Sequence, residues 1–429
     1  MKILETERDA ASEIIAALTT IPCGEDSELE QTVRSIIADV KNRGDEALLE
    51  LGRKFDSPHL ENLRVADEEF NEAYEIVGSE LIKAIGVAKA NIETFHRKQV
   101  RESWLDIQED FVYGQIIRPI DTVGFYAPAG LAPLPSSVLM TAVPGAVAGV
   151  RRMVMCAPAQ KNGKIHPAML VAARECGVLD VFKIGGAQAM AAMAFGTQTV
   201  PKVDKIVGPA SRYGTEAKRQ LFGIVGIDSL AGPSEVLVLA DDSANPVYVA
   251  ADMLSQAEHG GDSRCALITT SRKLADAVLR EIKAQLESSP RAQFIRESLD
   301  ASGVIVIGRT LDECIELANE FAPEHIEIVV AEPWEALRKI RNAGAIMIGQ
   351  HTPVPLCDFA AGPNHVLPTA RTARFSSALS VDDFVKKSGL LSYTSEALVR
   401  IAPTVIEIAK AEGLEAHANS ITVRLKDEI

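Results

Sequence analysis

The fold is decided by four short apolar runs that each end at Gly or Pro: VGFYAP (residues 123–128), RMVMCAP (152–158), DVFKIGG (180–186) and DKIVGP (204–209). The stretches between these runs are rich in small residues and have the length and pattern of helices. Strands that alternate with helices are typical of βαβ units, whose strands lie parallel in one sheet. The sequence therefore predicts an α/β domain over residues 121–232.

A second set of strand-like runs follows, again with helices between them: EVLVLAD (235–241), CALITT (265–270), GVIVIG (303–308), IEIVV (326–330) and GAIMIG (344–349). The chain is therefore predicted to hold two α/β domains in series, each with a parallel sheet. Residues 28–98 alternate charged and apolar side chains at helical spacing. We expect these early helices to pack on the second set of strands, because an isolated helical layer needs a sheet to cover.

The predicted division of the chain has four parts. Residues 1–24 form an N-terminal segment, residues 25–120 and 233–378 together form one α/β domain, and residues 121–232 form the other. Residues 379–429 form a charged, helical C-terminal arm that ends in a short strand, SITVRL (420–425). Because the arm is small for an independent core, we expect it to dock on another surface.

Composition excludes several classes of function. A chain of 429 residues is too long for one core of ordinary size, which argues for two or more domains. The formal net charge of -15 argues against a general nucleic-acid binder and against a polybasic membrane anchor. A membrane span needs about 18 consecutive apolar residues, and the best candidate, residues 136–150, is interrupted by Pro and Gly. We therefore expect no membrane and no nucleic-acid partner.

The N-terminus and the cysteines indicate a cytoplasmic protein. The first ten residues carry acids, and no long apolar run follows, so the segment does not resemble a secretory signal. The six cysteines form no CxxC pair and are interpreted as reduced core thiols: Cys23, Cys156, Cys176, Cys265, Cys314 and Cys357.

A metal site is suggested by a small set of polar residues. Gln256 and His259 are three apart on a predicted helix and so face the same side. Asp358 follows a predicted strand, and His417 lies in the C-terminal arm. Two imidazoles, a carboxylate and an amide oxygen suit a borderline cation such as zinc. The alternative is four ordinary polar residues, since only Gln256 and His259 are linked by spacing.

An acid and an imidazole, Glu324 and His325, stand at the start of an apolar strand in FAPEHIEIVV. Imidazole has an unperturbed pKa near ~6.5 and is a natural proton acceptor for oxidation of an alcohol. Adjacent side chains in an extended segment point to opposite sides, so the two share a site only if the loop is irregular there. A helix cap and a surface histidine are the alternative.

Two turns of similar sequence are candidates for the rim of a substrate site. AGPSEVLV and AGPNHVLPT share the form Ala-Gly-Pro, two polar residues, Val-Leu. Gly-Pro supplies a tight turn that would present Ser234, Glu235, Asn364 and His365. A purely structural turn is the alternative.

The best candidate for a nucleotide phosphate is IGGAQAMAA, where Gly185 and Gly186 lead from a strand into a helix with free N–H groups. The segment is not GxGxxG, and no acidic residue follows at the distance expected for a ribose contact. The pattern therefore favours an ordinary strand-to-helix turn over a nucleotide site.

Taken together, these segments resemble the histidinol dehydrogenase family over nearly the whole chain. The resemblance rests on GFYAPAGLAPLPSSVLM (124–140), IGGAQAMAA (184–192), AGPSEVLVLAD (231–241), SQAEHG (255–260), APEHIE (322–327), DFAAGPNHVLPT (358–369), ARFSSALSVDDF (373–384) and AEGLEAHA (411–418). It implies an α/β fold with two incomplete Rossmann-like domains. It also implies a homodimer in which small helical terminal segments are exchanged and active sites are shared.

The resemblance also implies the chemistry and the residues that perform it. The family oxidises L-histidinol to L-histidine through an aldehyde with two NAD, as the last step of histidine biosynthesis. One zinc ion per subunit would be bound by Gln256, His259, Asp358 and a partner's His417, with Glu324 and His325 as the acid–base pair. The implied substrate contacts are Ser234, Gln256, His259, His325, Asp358, His365, Glu412 and His417, and the implied NAD contacts are Tyr126, Gln188 and Ser211.

The sequence departs from the family pattern at five positions: Ala129, Ala210, Ser211, Cys357 and Arg371. The first three lie by the expected NAD site, so a homologue with weakened NAD binding is one alternative. The guanidinium of Arg371 could favour an anionic substrate such as a sulfonated propanediol. A metal-dependent hydrolase built on the same zinc and Glu324 is a third alternative.

Overall fold

The structure is a computed structural model that describes residues 1–19, 26–129 and 133–425. Cys23 and the middle of the motif at residues 124–140 lie outside the described residues. The chain forms two compact units: a larger unit of residues 1–99 and 120–384, and a smaller unit of residues 100–119 and 385–429. No described helix combines the length and the apolar character needed to cross a bilayer.

Fourteen strands are found in the described residues. They are β1 (Lys2–Glu5), β2 (Trp104–Ile107), β3 (Phe111–Pro119), β4 (Thr122–Tyr126), β5 (Arg152–Ala157), β6 (Asp180–Lys183), β7 (Lys205–Val207), β8 (Gly226–Ile227), β9 (Glu235–Ala240), β10 (Arg264–Thr269), β11 (Val304–Ile307), β12 (His325–Val329), β13 (Ala345–Ile348) and β14 (Val385–Tyr393).

Seventeen α-helices connect and cover these strands in the described part of the chain. They are α1 (Ala11–Thr19), α2 (Ser27–Arg43), α3 (Asp45–Phe55), α4 (Asp67–Ile76), α5 (Ser79–Arg97), α6 (Pro135–Ala148), α7 (Pro167–Glu175), α8 (Gly186–Phe195), α9 (Arg212–Leu221), α10 (Pro246–Ala257), α11 (Arg272–Leu286), α12 (Ala292–Ser302), α13 (Leu311–Phe321), α14 (Pro333–Leu337), α15 (Val354–Phe359), α16 (Ser395–Ala411) and α17 (Glu415–Leu425).

The first sheet has five parallel strands in the order β6-β5-β4-β7-β8. Its central strand places Phe125 beside Met155 on one side and Val207 on the other. The chain order reverses between β4 and β7, as in half of a Rossmann fold, and this reversal opens a crevice at the carboxyl ends of the two strands. The parallel sheet expected from the alternating runs is thus confirmed.

The second sheet repeats this topology. Its order is β1-β11-β10-β9-β12-β13, also parallel, and its reversal falls between β9 and β12. The only addition to the pattern in the described residues is β1, which pairs with β11 at one edge. The N-terminal residues therefore belong to the second sheet rather than standing apart from it.

The early helices pack on the first sheet, and the expectation that they cover the second was wrong. Helices α2 and α3 contact α8, and α4 and α5 contact α7 and α6. Phe70 and Ile92 share a core with Phe125 of β4. The physical reason lies in α6 and α8, which are buried along nearly all their faces. Because such apolar helices cannot face water, they need a second helical layer over them.

The smaller unit contains the antiparallel sheet β14-β3-β2 and the helices α16 and α17. The predicted strand at residues 420–425 was wrong, since these residues are the end of α17. Thr422 and Val423 favour a strand when taken alone. In the structure α17 packs on α16 instead, with Ala418 buried, so tertiary contact outweighs the local preference.

We predict that Gly208→Ala destabilises the protein much more than Gly223→Ala. Both glycines have positive φ, at +103° and +96°. A Cβ at Gly208, just after β7, would lie 2.6 Å from the backbone oxygen of Tyr126, whereas at Gly223 it would meet open space. Backbone strain costs about 1 kcal/mol at both sites, and the collision adds about 2 kcal/mol at Gly208.

Urea denaturation of both variants measures this difference in the free energy of unfolding. Equal losses at the two glycines would show that β4 and β7 do not approach each other as closely as described.

Candidate active site

One cavity of about 150 Å³ in the larger unit gathers most of the candidate residues. It lies between the carboxyl ends of β4 and β7 in the first sheet and the amino ends of β9 and β12 in the second. Its lining is Pro128, Leu134, Ser136, Ser137, Pro209, Ala231, Gly232, Ser234, Gln256, His259, Glu324, His325, Asp358, Phe359, His365, Val366, Leu367 and Thr369.

The backbone N–H and C=O of Glu235 hold the acid and the imidazole together. Its N–H donates to Glu324 Oε2 at 2.7 Å, and its carbonyl oxygen accepts from His325 Nδ1 at 3.1 Å. Because the backbone N–H needs an acceptor and the carbonyl needs a donor, the bonds fix Glu324 as an acceptor and place the ring hydrogen on Nδ1. The condition of an irregular loop is met, since Glu324 lies in a bend just before β12.

The other ring nitrogen of His325 faces a carboxylate. Nε2 lies 3.2 Å from Asp358 Oδ1, and both side chains are buried. Burial alone lowers the pKa of His325, but the charge of Glu324 and the contact with Asp358 raise it well above its usual value. Burial alone raises the pKa of Asp358, but the hydrogen bond and charge of His325 lower it overall, so Asp358 is a carboxylate.

Three of the four candidate metal ligands line this cavity. Gln256 is 1% exposed, and its Oε1 is buried with no hydrogen-bond partner, although a buried amide oxygen normally has one. The imidazole of His259 and the carboxylate of Asp358 line the same space. The orphaned oxygen and this donor set fit a bound cation.

The described chain does not by itself complete a metal site. In residues 1–19, 26–129 and 133–425, no three His, Cys, Asp or Glu side chains stand close enough to bind one ion. The fourth candidate ligand, His417, lies on α17 of the smaller unit, and Glu412 follows α16 there. Both side chains are exposed.

Some of the predicted rim residues line the cavity, and others are structural. Ser234 and His365 line the cavity. His365 donates from Nδ1 to the carbonyl of Asp358 at 2.8 Å, and its Nε2 accepts from Ser137 Oγ at 3.1 Å. Burial lowers the pKa of His365 despite the nearby charge of Asp358. Asn364 instead donates to the carbonyl of Met140 and is structural.

Ser137 is a site residue that sequence reasoning missed. It lies in the first turn of α6, two residues after Pro135. The signal was present, because Pro followed by two serines is typical of a helix start. What the sequence did not show is that this helix end faces His365, more than two hundred residues along the chain.

The glycine turn before α8 is occupied by the protein's own groups. Gly185 N–H donates to Asp56 Oδ2 at 3.1 Å, and Gly186 N–H donates to the hydroxyl of Tyr126 at 3.2 Å. A phosphate at this turn would meet the Asp56 carboxylate. The turn therefore does not fit a phosphate.

The three candidate NAD contacts differ in exposure. Tyr126 and Gln188 are buried, at 4% and 3% exposure. Ser211 is exposed at the start of α9, and its side chain makes no cap hydrogen bond there. Of these three, Ser211 alone offers an open side chain beside the crevice.

Arg371 does not add a positive charge to the cavity, which corrects the expectation from sequence. Its guanidinium lies 3.4 Å from Glu320 on α13, and Arg371 is absent from the lining of the cavity. The backbone there is left-handed, with φ of +67°, where glycine is the residue of least strain. Arg371 therefore gives no reason to expect an anionic substrate.

Cys357 is buried in the core of the second sheet.

A cavity enclosed by two parallel sheets and lined by a buried acid, an imidazole and a second carboxylate defines an α/β enzyme. A family model described as histidinol dehydrogenase matches residues 22–425. The chain belongs to the histidinol dehydrogenase family.

Individual relatives agree over almost the full length. A histidinol dehydrogenase from Clostridium acetobutylicum is 49% identical over 403 residues, and one from Caldanaerobacter subterraneus subsp. tengcongensis is 51% identical over 406 residues; each match covers 94% of both chains. The crystal structure of histidinol dehydrogenase from Elizabethkingia anophelis has a TM-score of 0.94 at 37% identity, covering 100% of this chain and 98% of that one.

We predict that Asp56 makes stability fall as the pH rises. Burial, opposed by the bond from Gly185, raises its pKa from 3.8 to about 6. The folded state therefore keeps this proton more readily than the unfolded state, and the stabilisation is lost as the pH climbs through 6. From pH 5 to pH 8, the free energy of unfolding of Asp56→Asn should rise by about 1 kcal/mol relative to that of wild type. This figure is reduced to allow for the partial exposure of Asp56.

Urea denaturation at the two pH values measures this gain. Asp204→Asn is the matched control, since it removes an exposed carboxylate that also accepts a backbone N–H, from Thr122. If wild type and Asp56→Asn differ in free energy of unfolding by the same amount at both pH values, the buried position of this carboxyl group is contradicted.

Proposed function

We propose that this chain is an NAD-dependent dehydrogenase that oxidises L-histidinol to L-histidine through histidinal, in the last step of histidine biosynthesis. The observation that carries the proposal is the joint anchoring of Glu324 and His325 on the Glu235 peptide, beside Gln256 and Asp358. Family membership supports the same substrate. The cavity suits a small amino alcohol, and its lining holds no Lys or Arg that would select an anion.

The metal in this proposal is one zinc ion per subunit. Gln256, His259 and Asp358 would bind it, together with His417 of the partner subunit, and the orphaned Gln256 Oε1 supports this assignment. Zinc, when bound, would hold the amino and imidazole nitrogens of the substrate and so orient the carbinol carbon. Ser234, His365 and a partner's Glu412 would complete the substrate site.

His325 is the proposed base for the alcohol. Its Nδ1 hydrogen is held by the Glu235 carbonyl, which leaves Nε2 to accept the hydroxyl proton as hydride leaves the carbon. In the structure Asp358 raises the pKa of this ring. Engagement of Asp358 by a cation would weaken that attraction and lower the pKa, as suits a base.

Glu324 is the proposed base for the aldehyde. Its Oε2 accepts the Glu235 N–H and lies 3.6 Å from His325 Nδ1, so the carboxylate is held beside the ring. There it would take a proton from water as the water adds to the aldehyde carbon. The resulting hydrate would give its C–H as hydride to a second NAD and lose one O–H proton, which yields the carboxylic acid; this acid then ionises to the carboxylate product.

The cofactor would lie in the crevice between β4 and β7. Tyr126, Gln188 and Ser211 are the proposed contacts, and the open hydroxyl of Ser211 is the best supported of the three. The nicotinamide supplies the hydride acceptor, whereas the protein supplies position and proton transfer.

The proposed assembly is a homodimer in which each arm completes the partner's site, acting in the cytoplasm. Membership of the family supports this assembly. A reducing compartment is supported by the five described cysteines, which are buried free thiols. Burial raises the pKa of Cys265 to about 12, which keeps that thiol unreactive.

The assay that tests the proposal gives purified, zinc-loaded protein NAD and one of three substrates: histidinol, histidinal or a sulfonated propanediol. We expect two NADH per histidinol and none from the diol. His325→Asn should lower kcat with histidinol by about 100-fold or more. Glu324→Gln should slow the oxidation of histidinal more than the oxidation of histidinol to histidinal. Turnover without NAD would instead support a hydrolase, and NADH from the diol alone would overturn the proposal.

Shared sites predict that two inactive variants restore each other. In a mixed dimer of His417→Asn and Glu324→Gln chains, one of the two sites contains only native residues. After subunits are exchanged at random, about a quarter of wild-type activity should return, given two symmetric sites per dimer.

The control mixes Glu324→Gln with His325→Asn, whose changes lie in the same unit and therefore leave every site defective. If exchange is demonstrated and neither mixture recovers, His417 does not act across subunits.

A further inference from the structure

Behind the cavity lies a buried pair of acidic residues that the proposed reaction does not use. Glu327 is on β12, two residues after His325, and is 2% exposed. Asp252 is on α10, one turn before Gln256, and is half-buried. Their carboxyl groups are hydrogen-bonded to each other. A buried acid in contact with a half-buried one requires an explanation, because two carboxylates would repel each other.

The arrangement around Glu327 is that of a protonated acid. Its Oε1 accepts the N–H of Val354 at 2.8 Å, whereas Oε2 is buried and has no protein donor. Two carboxyl groups form a hydrogen bond only when one of them carries a proton. Burial, followed by the Asp252 charge, raises the pKa of Glu327 well above its usual value, so Glu327 holds that proton. Glu327 thus accepts from one neighbour and donates to the other.

The two neighbours belong to the helices that carry metal ligands. Val354 is the first residue of α15, which holds Asp358 near its end, and Asp252 shares α10 with Gln256. Helix α15 has six residues, and no side chain caps its start at Pro353. Because so short a helix has little stability of its own, its position depends on such external contacts.

We propose that Glu327 is a positioning residue that ties α10 to α15 at the spacing that brings Gln256 and Asp358 to one zinc ion. This inference rests on the proposed zinc site. Groups that orient metal ligands in this way change metal affinity by about 10- to 100-fold when removed. The role needs one acceptor oxygen and one donor hydrogen, and it does not need a charge.

The test compares zinc dissociation constants, measured by competition with a chromophoric chelator on the dimeric protein. Glu327→Gln keeps an acceptor for Val354 and gains an N–H for Asp252, so its zinc affinity should stay within about threefold of wild type. Glu327→Leu fills the space but makes neither bond, and its affinity should fall about 10- to 100-fold.

Two further variants guard against loss of folding as the explanation. Asp252→Ala removes the acceptor at a half-buried position and should weaken zinc binding in the same direction, whether or not Glu327→Leu folds. Glu69→Leu is the matched control: Glu69 is also a poorly exposed acid with one orphaned oxygen, but it lies on α4 and pairs with Lys183. This variant should lose stability and keep its zinc affinity.

The outcomes separate this inference from the proposed function. Wild-type protein that binds no zinc would overturn both. If wild type binds zinc and Glu327→Leu and Asp252→Ala bind it equally tightly, the positioning role is wrong while the zinc site stands. Weak binding by Glu327→Gln as well would show that a charge, rather than the pair of hydrogen bonds, is what the site requires.

Discussion

The backbone hydrogen bonds of one residue, Glu235, are the constraint on which the site depends. They join β9 to side chains about ninety residues further along, and they exist only because β12 pairs with β9 in the register that sets His325 beside Val236. A slip of one residue would turn the imidazole to the opposite face of the sheet. The side chain of Glu235 is fixed in turn by Arg264 at 2.9 Å, and Arg264 also donates to the carbonyl of Leu18 and stacks on Phe321. The catalytic geometry is therefore a consequence of strand register and of a buried ion pair.

The two sheets share one topology but use opposite edges. Ligands of such sheets normally lie at the carboxyl ends of the strands, where the strand order reverses. In the first sheet this crevice, between β4 and β7, opens into the cavity. In the second sheet the segments at the corresponding edge are linked instead, because Asp241 accepts the N–H groups of Ala331, after β12, and of Ser243, after β9. The second sheet therefore presents its amino edge, with Glu324 and His325, to the open crevice of the first. Duplicated architecture yields one composite site rather than two nucleotide sites.

The sequence predicted what depends on local pattern. Apolar runs ending at Gly or Pro predicted both parallel sheets, and the spacing of Gln256 and His259 predicted that they face one space. Prediction from the sequence failed where the structure depends on which surfaces, far apart in the chain, pack against each other. The charge pattern of residues 28–98 predicts helices but does not say which sheet they cover, and the answer depended on the apolar outer faces of α6 and α8. The direction of Arg371 toward Glu320 and the approach of Asp56 to Gly185 are likewise contacts between segments far apart in the chain. No local pattern records them.

The positions of the buried polar atoms without partners show where this fold loses stability. Among the described residues, five buried side-chain atoms meet no complementary donor or acceptor when every carboxyl group is ionised: Glu69 Oε2, Glu235 Oε2, Gln256 Oε1, Glu327 Oε2 and Arg371 Nε. Three of the five belong to Gln256, Glu235 and Glu327, on the strands and the helix that build one side of the cavity. Each such atom destabilises a fold by about 1–3 kcal/mol when it stays unpaired, and a core selected for stability alone would place apolar side chains there. For Gln256 and Glu327 the better explanation is the proposed zinc ion and a proton shared with Asp252, which would satisfy the two oxygens. The group that weakens the apoprotein at Gln256 would then make metal binding stabilise the fold.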